Sequence, residues 1–318
     1  MSNIRLQRKI GLAGAIFLLL GNVIGASIFI LPGSLAAIAG PAVFVAYLIA
    51  LIPAFFNTLV AAQVGGILPV SAADYVFTST VLHPLLGFLK VWAALVGALV
   101  GGPILAYGFA DYFSYFLPEA DRVAVASFVV IIMMVINLLG IRSSVKLQMV
   151  MVSVFISALL ILAIGGLFYV DKELLTPIAP MGWGVVISVA VPAYYSYTGF
   201  TMLLSITEEI RNPAKNIPMI TFCTFVIVAF IYTSVTFVVP GLIPWQELGS
   251  IMAPLSAAAA TFLPEWYSIA ITIAALLAAI TSINMVIITN SRSFFAVARN
   301  KIYPEIFSQV NARTKEPD

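Results

Sequence analysis

Two stretches of this chain place glycine, proline and hydroxyl residues inside runs that are otherwise apolar. The first is GNVIGASIFILPG, residues 21–33, with three glycines, an asparagine, a serine and a proline. The second is VPAYYSYTGFTML, residues 191–203, where Pro192 and Gly199 flank a row of hydroxyl side chains. These residue types suit chemistry done by the main chain. Glycine and proline interrupt a helix, and an interrupted helix offers bare N–H and C=O groups. N–H groups at the start of a half-helix can receive a carboxylate. Freed carbonyls can receive an ammonium group or a cation. A zwitterion such as an amino acid suits both ends. The competing account of the first stretch is close packing, because Gly21 and Gly25 have small-xxx-small spacing. For the second it is an aromatic packing cluster.

Side-chain chemistry has little to work with. The chain has 318 residues, 62% hydrophobic and 9% charged, with a mean hydropathy of +1.10. Soluble chains are about a quarter charged, so lipid is the solvent for most of this one. A single cysteine, Cys223, excludes an internal disulfide framework, and a single histidine, His83, leaves no cluster with metal-ligand spacing. Cys223 reads as a small apolar residue and His83, before Pro84, as structural. An enzyme would need clustered acids or a nucleophile with its base. A channel would need a charged ring or a carbonyl filter, repeated by symmetry. Neither pattern is present, so the expectation is a protein that is not an enzyme and uses no cofactor. A channel, or a sensor or partner protein of the same fold, remains the alternative.

The elements that position the two stretches are apolar windows long enough to cross a hydrocarbon core of about 30 Å. Eight occur, at 12–38, 41–64, 85–117, 123–140, 147–170, 183–206, 218–239 and 266–290. A shorter run at 251–263 reads as a surface or re-entrant helix. The opening resembles a signal peptide, but its apolar run is long and seven more spans follow, so an uncleaved first span is expected. With the N-terminus inside, 13 of the 15 lysines and arginines fall on the inner side and only Arg122 and Lys172 outside. That bias predicts a multi-pass protein of the cytoplasmic membrane with a cytoplasmic N-terminus. Trp92, Trp183, Trp245 and Trp266 lie near span ends and read as interfacial anchors.

The interrupted windows are the first and the sixth, and Gly25 and Gly199 stand 199 − 25 = 174 residues apart. Each opens a group of spans, and an odd repeat of five spans places two copies upside down relative to each other. That is the pattern of an inverted-repeat secondary transporter, with its site at the midplane between broken helices.

Four motifs carry a family resemblance. GNVIGASIFILPG resembles the glycine-rich carboxylate site of the amino acid–polyamine–organocation (APC) superfamily of permeases. AYYSYTGF (193–200) followed by EEIRNPAKNIP (208–218) resembles that family's most diagnostic stretch. LPVSAADYVF (68–77) and SRSFFAVARNKIYPEIF (291–307) resemble its loops after the second and eighth spans. The match runs from near residue 9 to the last residue. It implies an all-α, polytopic, leucine-transporter-like inverted repeat with discontinuous helices 1 and 6. Residues 1–175 would be the first repeat, spans one to five. Residues 176–318 would be a partial second repeat, spans six to eight and a cytoplasmic loop. Family members have twelve spans, so the second repeat is expected to be incomplete after NARTKEPD.

The resemblance also implies roles. Ile24, Gly25, Ala26 and Ser27 fall in the carboxylate-binding turn; Ser27 stands where glycine is more common, and its hydroxyl would add a bond to the carboxylate. Tyr194, Tyr195, Ser196 and Gly199 fall in the unwound sixth span that holds the amine, and Tyr195 matches an aromatic gate. Thr281 and Ser282 stand where sodium-dependent members place ion-binding hydroxyls, although such residues often bond the preceding turn. A proton-coupled branch uses a fifth-span lysine, and window 147–170 has none. H+, Na+ and ion-free exchange therefore stay open. Gln63, Ala72 and Ala73 depart from the family's Glu and two glycines, which blurs the subfamily. No acid or base falls in the middle of spans one, three, six or eight, so a neutral amino acid is the expected substrate. Lipid is the surrounding partner and no nucleic acid is expected. Asp111 reads as interfacial, Asn137 and Asn284 as interhelical hydrogen-bonding residues, and Glu208 and Glu209, beside Arg211, as either a cytoplasmic gate contact or a solvated pair.

Overall fold

The computed structural model describes residues 7–139, 141–251, 253–300 and 302–308. These residues are helical and form no extended strand, apart from a single parallel bridge between Ile10 and Ile210. The first window is two helices, α1 (Leu12–Ile24) and α2 (Ser27–Ala39), separated by Gly25 and Ala26. The second window is α3 (Val43–Ile67). A short α4 (Ala73–Phe77) precedes α5 (Pro84–Phe113), and α6 (Arg122–Leu138) and α7 (Ile141–Gly166) complete the first five windows.

Local chemistry sets these ends. Pro84 opens α5 at a position where its missing N–H costs nothing, and His83 Nδ1 accepts from Leu85 N at 3.2 Å. The structural reading of His83 is thus a helix cap. Asp121 caps α6 by accepting from Ala124 N at 2.7 Å.

The sixth window departs from a simple span. Its α-helix, α8 (Trp183–Tyr195), stops after 13 residues. The chain then continues as tight 3₁₀ turns, Phe200–Ser205 and Thr207–Glu209, without resuming an α-helix. The interruption expected in window 183–206 is thus present, and beyond it the chain forms 3₁₀ turns in place of a second α-helical half. Thirteen residues rise about 20 Å, short of the hydrocarbon core. Then follow α9 (Pro213–Val238), the short α10 (Trp245–Leu248) and α11 (Pro254–Ala260), and α12 (Glu265–Arg299). The short apolar run is α11, tied to α12 through Ser256 Oγ and Ser268 O at 3.0 Å.

Packing places the first interrupted span at the centre, while α8 leaves Ile187, Val191 and Tyr195 exposed on one face. α1 lies among α7, α9 and α12, while α3 packs against α9 and α8. α12 runs for 35 residues, about 52 Å. It is largely enclosed, with Ala274, Ala275, Ala278 and Ala279 buried. By contrast α5 and α6 leave Leu99, Val100, Ile104, Phe128 and Ile131 exposed, as lipid-facing helices do.

One polar chain crosses the interior. Asn137 Nδ2 donates to Asn284 Oδ1 at 2.8 Å, Ser144 Oγ to the same oxygen at 2.9 Å, and Asn284 Nδ2 to Gln148 Oε1 at 2.9 Å. Asn137 and Asn284 thus pair across α6 and α12, the interhelical role their positions predict. Asp111 meets exposed Arg122 at 2.6 Å, in keeping with an interfacial place.

Candidate functional site

The site forms where the two interruptions meet. At the first, Gly25 adopts φ +42° and ψ −150°, a conformation open essentially to glycine. A Cβ there would also run into Ser282 Oγ of α12. At the second, Gly199 adopts φ +116°, and a Cβ there would lie 2.5 Å from Asn22 Nδ2. That amide donates to Gly199 O at 3.1 Å, so one side chain of α1 ties the first interruption to the second. Gly199→Ala is expected to destabilise the protein by about 1–3 kcal/mol, because it strains the backbone and displaces this amide; thermal unfolding in detergent measures it.

Gly21 behaves as the packing alternative expects. A Cβ on it would strike the Gln148 amide and come within 2.8 Å of Val152 Cγ2 of α7. Gly21 serves close approach and Gly25 serves the turn.

In lipid an unpaired main-chain group costs several kcal/mol, so the broken backbone needs partners. Tyr232 of α9 supplies them at the first interruption. Its hydroxyl lies 3.1 Å from Ile24 O and 2.6 Å from Ser27 Oγ, and Ser27 Oγ lies 2.9 Å from Ile24 O. The Ser27 hydroxyl is thus engaged within the protein. At the second interruption Ser196 Oγ pairs with Tyr47 OH of α3 at 3.1 Å. Tyr194 O accepts a turn bond from Tyr197 N at 2.9 Å, and Tyr195 O accepts from both Thr198 N at 3.1 Å and Thr198 Oγ1 at 2.7 Å. Ala26 places no side-chain cap on α2, so the N–H groups at its start are not claimed by a capping side chain.

The remaining sequence candidates divide. Thr281 Oγ1 reaches Gly21 O at 3.1 Å and also the preceding turn, at Ala278 O, 2.8 Å. Ser282 Oγ donates to Ala278 O at 3.2 Å while facing Gly25. Tyr194 is half-buried and accepts from Asn57 Nδ2 at 3.4 Å. Tyr195 turns outward, 68% exposed. The tyrosines buried at the interruptions are Tyr47, Tyr197 and Tyr232.

Below the site lies a charged cluster. Glu209, 1% exposed, pairs with Arg292 Nε at 2.8 Å. Glu208 accepts from Ser71 N at 3.1 Å and Ser71 Oγ at 2.7 Å, and meets Arg299 Nη1 at 3.3 Å. The main chain joins in: Ile10 N donates to Glu209 O at 3.0 Å, and Arg211 N to Ile10 O at 2.9 Å. Both acids are buried, which corrects the solvated-pair alternative. Their partners are Arg292 and Arg299 of α12, which sequence spacing did not suggest. Asn22, Tyr47, Gln148 and Tyr232 were missed as well. The available signal was a polar or hydroxyl group inside an apolar window, which must find a partner somewhere.

An all-helical chain with long apolar helices, two of its spans broken and joined at the break, defines a class: polytopic membrane transporters. The amino acid permease family matches residues 10–317, and the chain belongs to it. It is 27% identical to the branched-chain amino acid permease of Bacillus subtilis, over 98% of this chain and 71% of that protein. It is 26% identical to the methylthioribose transporter of the same organism, over 94% and 68%. It is 25% identical to a vacuolar cationic amino acid transporter of Arabidopsis thaliana, over 98% of this chain and 56% of that one.

Proposed function

We propose that the protein is a secondary transporter that moves a neutral amino acid across the cytoplasmic membrane by alternating access, with its N-terminus inside. The observation that carries this reading is the bond from Asn22 to Gly199 O, which brings two interrupted spans to one place. In this reading the N–H groups around Gly25, Ala26 and Ser27 hold the carboxylate, with Ile24 shaping the turn. Carbonyls of Tyr194, Tyr195 and Ser196, beside Gly199, hold the amine. Tyr195 contributes its main chain, its ring being exposed.

Neutrality of the substrate is supported by where charge is buried. Among the described residues the buried charges are Glu208, Glu209 and Arg292. Arg292 lies ten residues beyond Ser282 on α12, about 15 Å away along the helix. The cationic and sugar-derived cargo in two relatives' names is outweighed by that distance. Sodium coupling would place the ion between the hydroxyls of Thr281 and Ser282 and the carbonyls of α1, and the Thr281 bond to Gly21 O supports that placement.

Counterflow of labelled leucine, alanine, lysine and glutamate in proteoliposomes tests the proposal. Saturable counterflow of the neutral pair, with lysine and glutamate at least about tenfold weaker, is the expected result. Conductance without counterflow would make the protein a channel, and neither would leave a sensor. Replacing sodium by choline tests the ion site in the same vesicles.

A further inference from the structure

Two serines, one at each interruption, are bonded to tyrosines from two unbroken helices, and those tyrosines are stacked on one another. Ser27 pairs with Tyr232 of α9 at 2.6 Å, and Ser196 with Tyr47 of α3 at 3.1 Å. The Tyr47 and Tyr232 rings lie 5.5 Å apart and 19° from parallel. Tyr197, on the second interruption itself, meets both rings edge-on, at 5.9 Å from Tyr47 and 5.1 Å from Tyr232. All three tyrosines are fully buried.

We propose that Tyr232 and Tyr47 form a yoke through which the two unwound segments keep their relative position, making both tyrosines positioning residues for the substrate. The inference rests on the transport reading for its link to substrate, though not for the mechanical link itself. Packing alone does not require the hydroxyls, since phenylalanine fills the same ring volume. A tyrosine hydroxyl in hydrocarbon is costly unless bonded. The hydroxyl of Tyr232 is spent on the end of α1, whose last carbonyls lack helical partners. It lies 3.1 Å from Ile24 O and 3.4 Å from Val23 O. It therefore fixes the carbonyl end of the first interruption. Tyr47 fixes the second through Ser196, and the ring stack joins the two anchors. A shift at one interruption is passed to the other by α3 and α9, which are packed along their length. In this way the carboxylate-binding turn and the amine-binding carbonyls stay in register across helices that are each broken.

Tyr47→Phe tests the link without needing transport. Its hydroxyl touches Ser196 and no residue of the first interruption, so a local effect would stay at residues 193–200. The yoke instead predicts faster hydrogen–deuterium exchange also across residues 21–28, by about threefold or more. Faster exchange confined to residues 193–200, or unchanged at both, overturns it.

The functional half is read in the full-length protein in proteoliposomes. Tyr232→Phe is expected to raise the counterflow KM about five- to tenfold, the loss of one bond that orients the turn. With Tyr47→Phe added, the rise should fall well short of the product of the two single effects, because both act on one unit. Tyr267→Phe is the control. Its hydroxyl donates to Ala158 O at 2.7 Å, remote from the interruptions in sequence, so it should lower thermal stability and leave KM unchanged. A Tyr232→Phe KM within about twofold of wild type, or effects that simply multiply, overturns the yoke as a positioning device. If the wild-type protein shows no counterflow, the transport reading falls and the exchange experiment alone decides the mechanical link.

Discussion

Gly25→Leu is expected to abolish uptake while the protein still inserts in the membrane. Two independent costs meet at this residue. The conformation at φ +42°, ψ −150° is one that a side chain resists, at about 1–3 kcal/mol. The added Cβ would also strike Ser282 Oγ, so either the turn or α12 must move. Leucine could relieve both by letting the segment wind into a continuous helix, and the bare N–H groups at the start of α2 would then close on themselves. Insertion follows hydropathy, which leucine raises. The expected result is a normal amount of protein in the membrane fraction and counterflow reduced at least about a hundredfold, equivalent to about 3 kcal/mol. Gly97→Ala on α5 is the comparison: a Cβ there meets nothing within 4 Å, and transport should be unchanged. Equal loss in both variants would mean that glycine matters for folding generally and that the turn has no special part.

The contrast between these two glycines shows what can be read from a chain without coordinates. Both sit in apolar windows that carry helix breakers, Gly101, Gly102 and Pro103 following Gly97, and what separates Gly25 is the polar pair Asn22 and Ser27 beside it. That polarity marked the interruption where helix breakers alone would also have marked α5, because in lipid a broken helix is expensive and occurs where polar groups meet it. It did not suffice to say what lies beyond the break. Pro192 and Gly199 mark the end of α8, but nothing in LLSITEE indicates 3₁₀ winding rather than α-helix, since the choice is made by tertiary bonds such as Thr207 Oγ1 to Val70 O at 2.5 Å. Partners were harder still. Asn22, the second residue of the first motif, was legible as polar and illegible as the tie to Gly199, because the pairing depends on how two segments 177 residues apart are placed. Tyr232 and Tyr47 look like ordinary span residues until the spans are packed. Ser27 was legible as a hydroxyl at the turn, yet its bond to Tyr232 is a fact of packing. The acids Glu208 and Glu209 were visible, and Arg211 next to them was the natural partner by sequence; the fold brings in arginines from α12 instead.

That exchange of partners leads to the second large effect. Arg292→Met is expected to destabilise the protein by about 3–5 kcal/mol, the usual consequence of removing one member of a buried ion pair. The pair is as enclosed as any among the described residues, with side chains 6% and 1% exposed, and its bond from Nε to Glu209 Oε1 is 2.8 Å. Solvent screening therefore does little to soften the loss. Glu209→Gln combined with Arg292→Met should recover most of the thermal stability in detergent, since no buried charge then faces an apolar neighbour in its partner's place. Transport should not recover with it. Glu209 ends the wound-down tail of the sixth span, and its carbonyl is held by Ile10 N at 3.0 Å, so the ion pair anchors both that tail and the segment before α1 to α12. Without the anchor the side of the protein away from α2 opens more readily, and counterflow is expected to fall about tenfold, as for a closed state made less favourable by about 1.4 kcal/mol. A double variant that is stable and transports at the wild-type rate would show that the pair serves the fold alone. One that is stable and slow would place the pair in the cycle, because its contribution to folding has been restored by the second substitution and what remains missing is the charge that holds the two interrupted spans against α12.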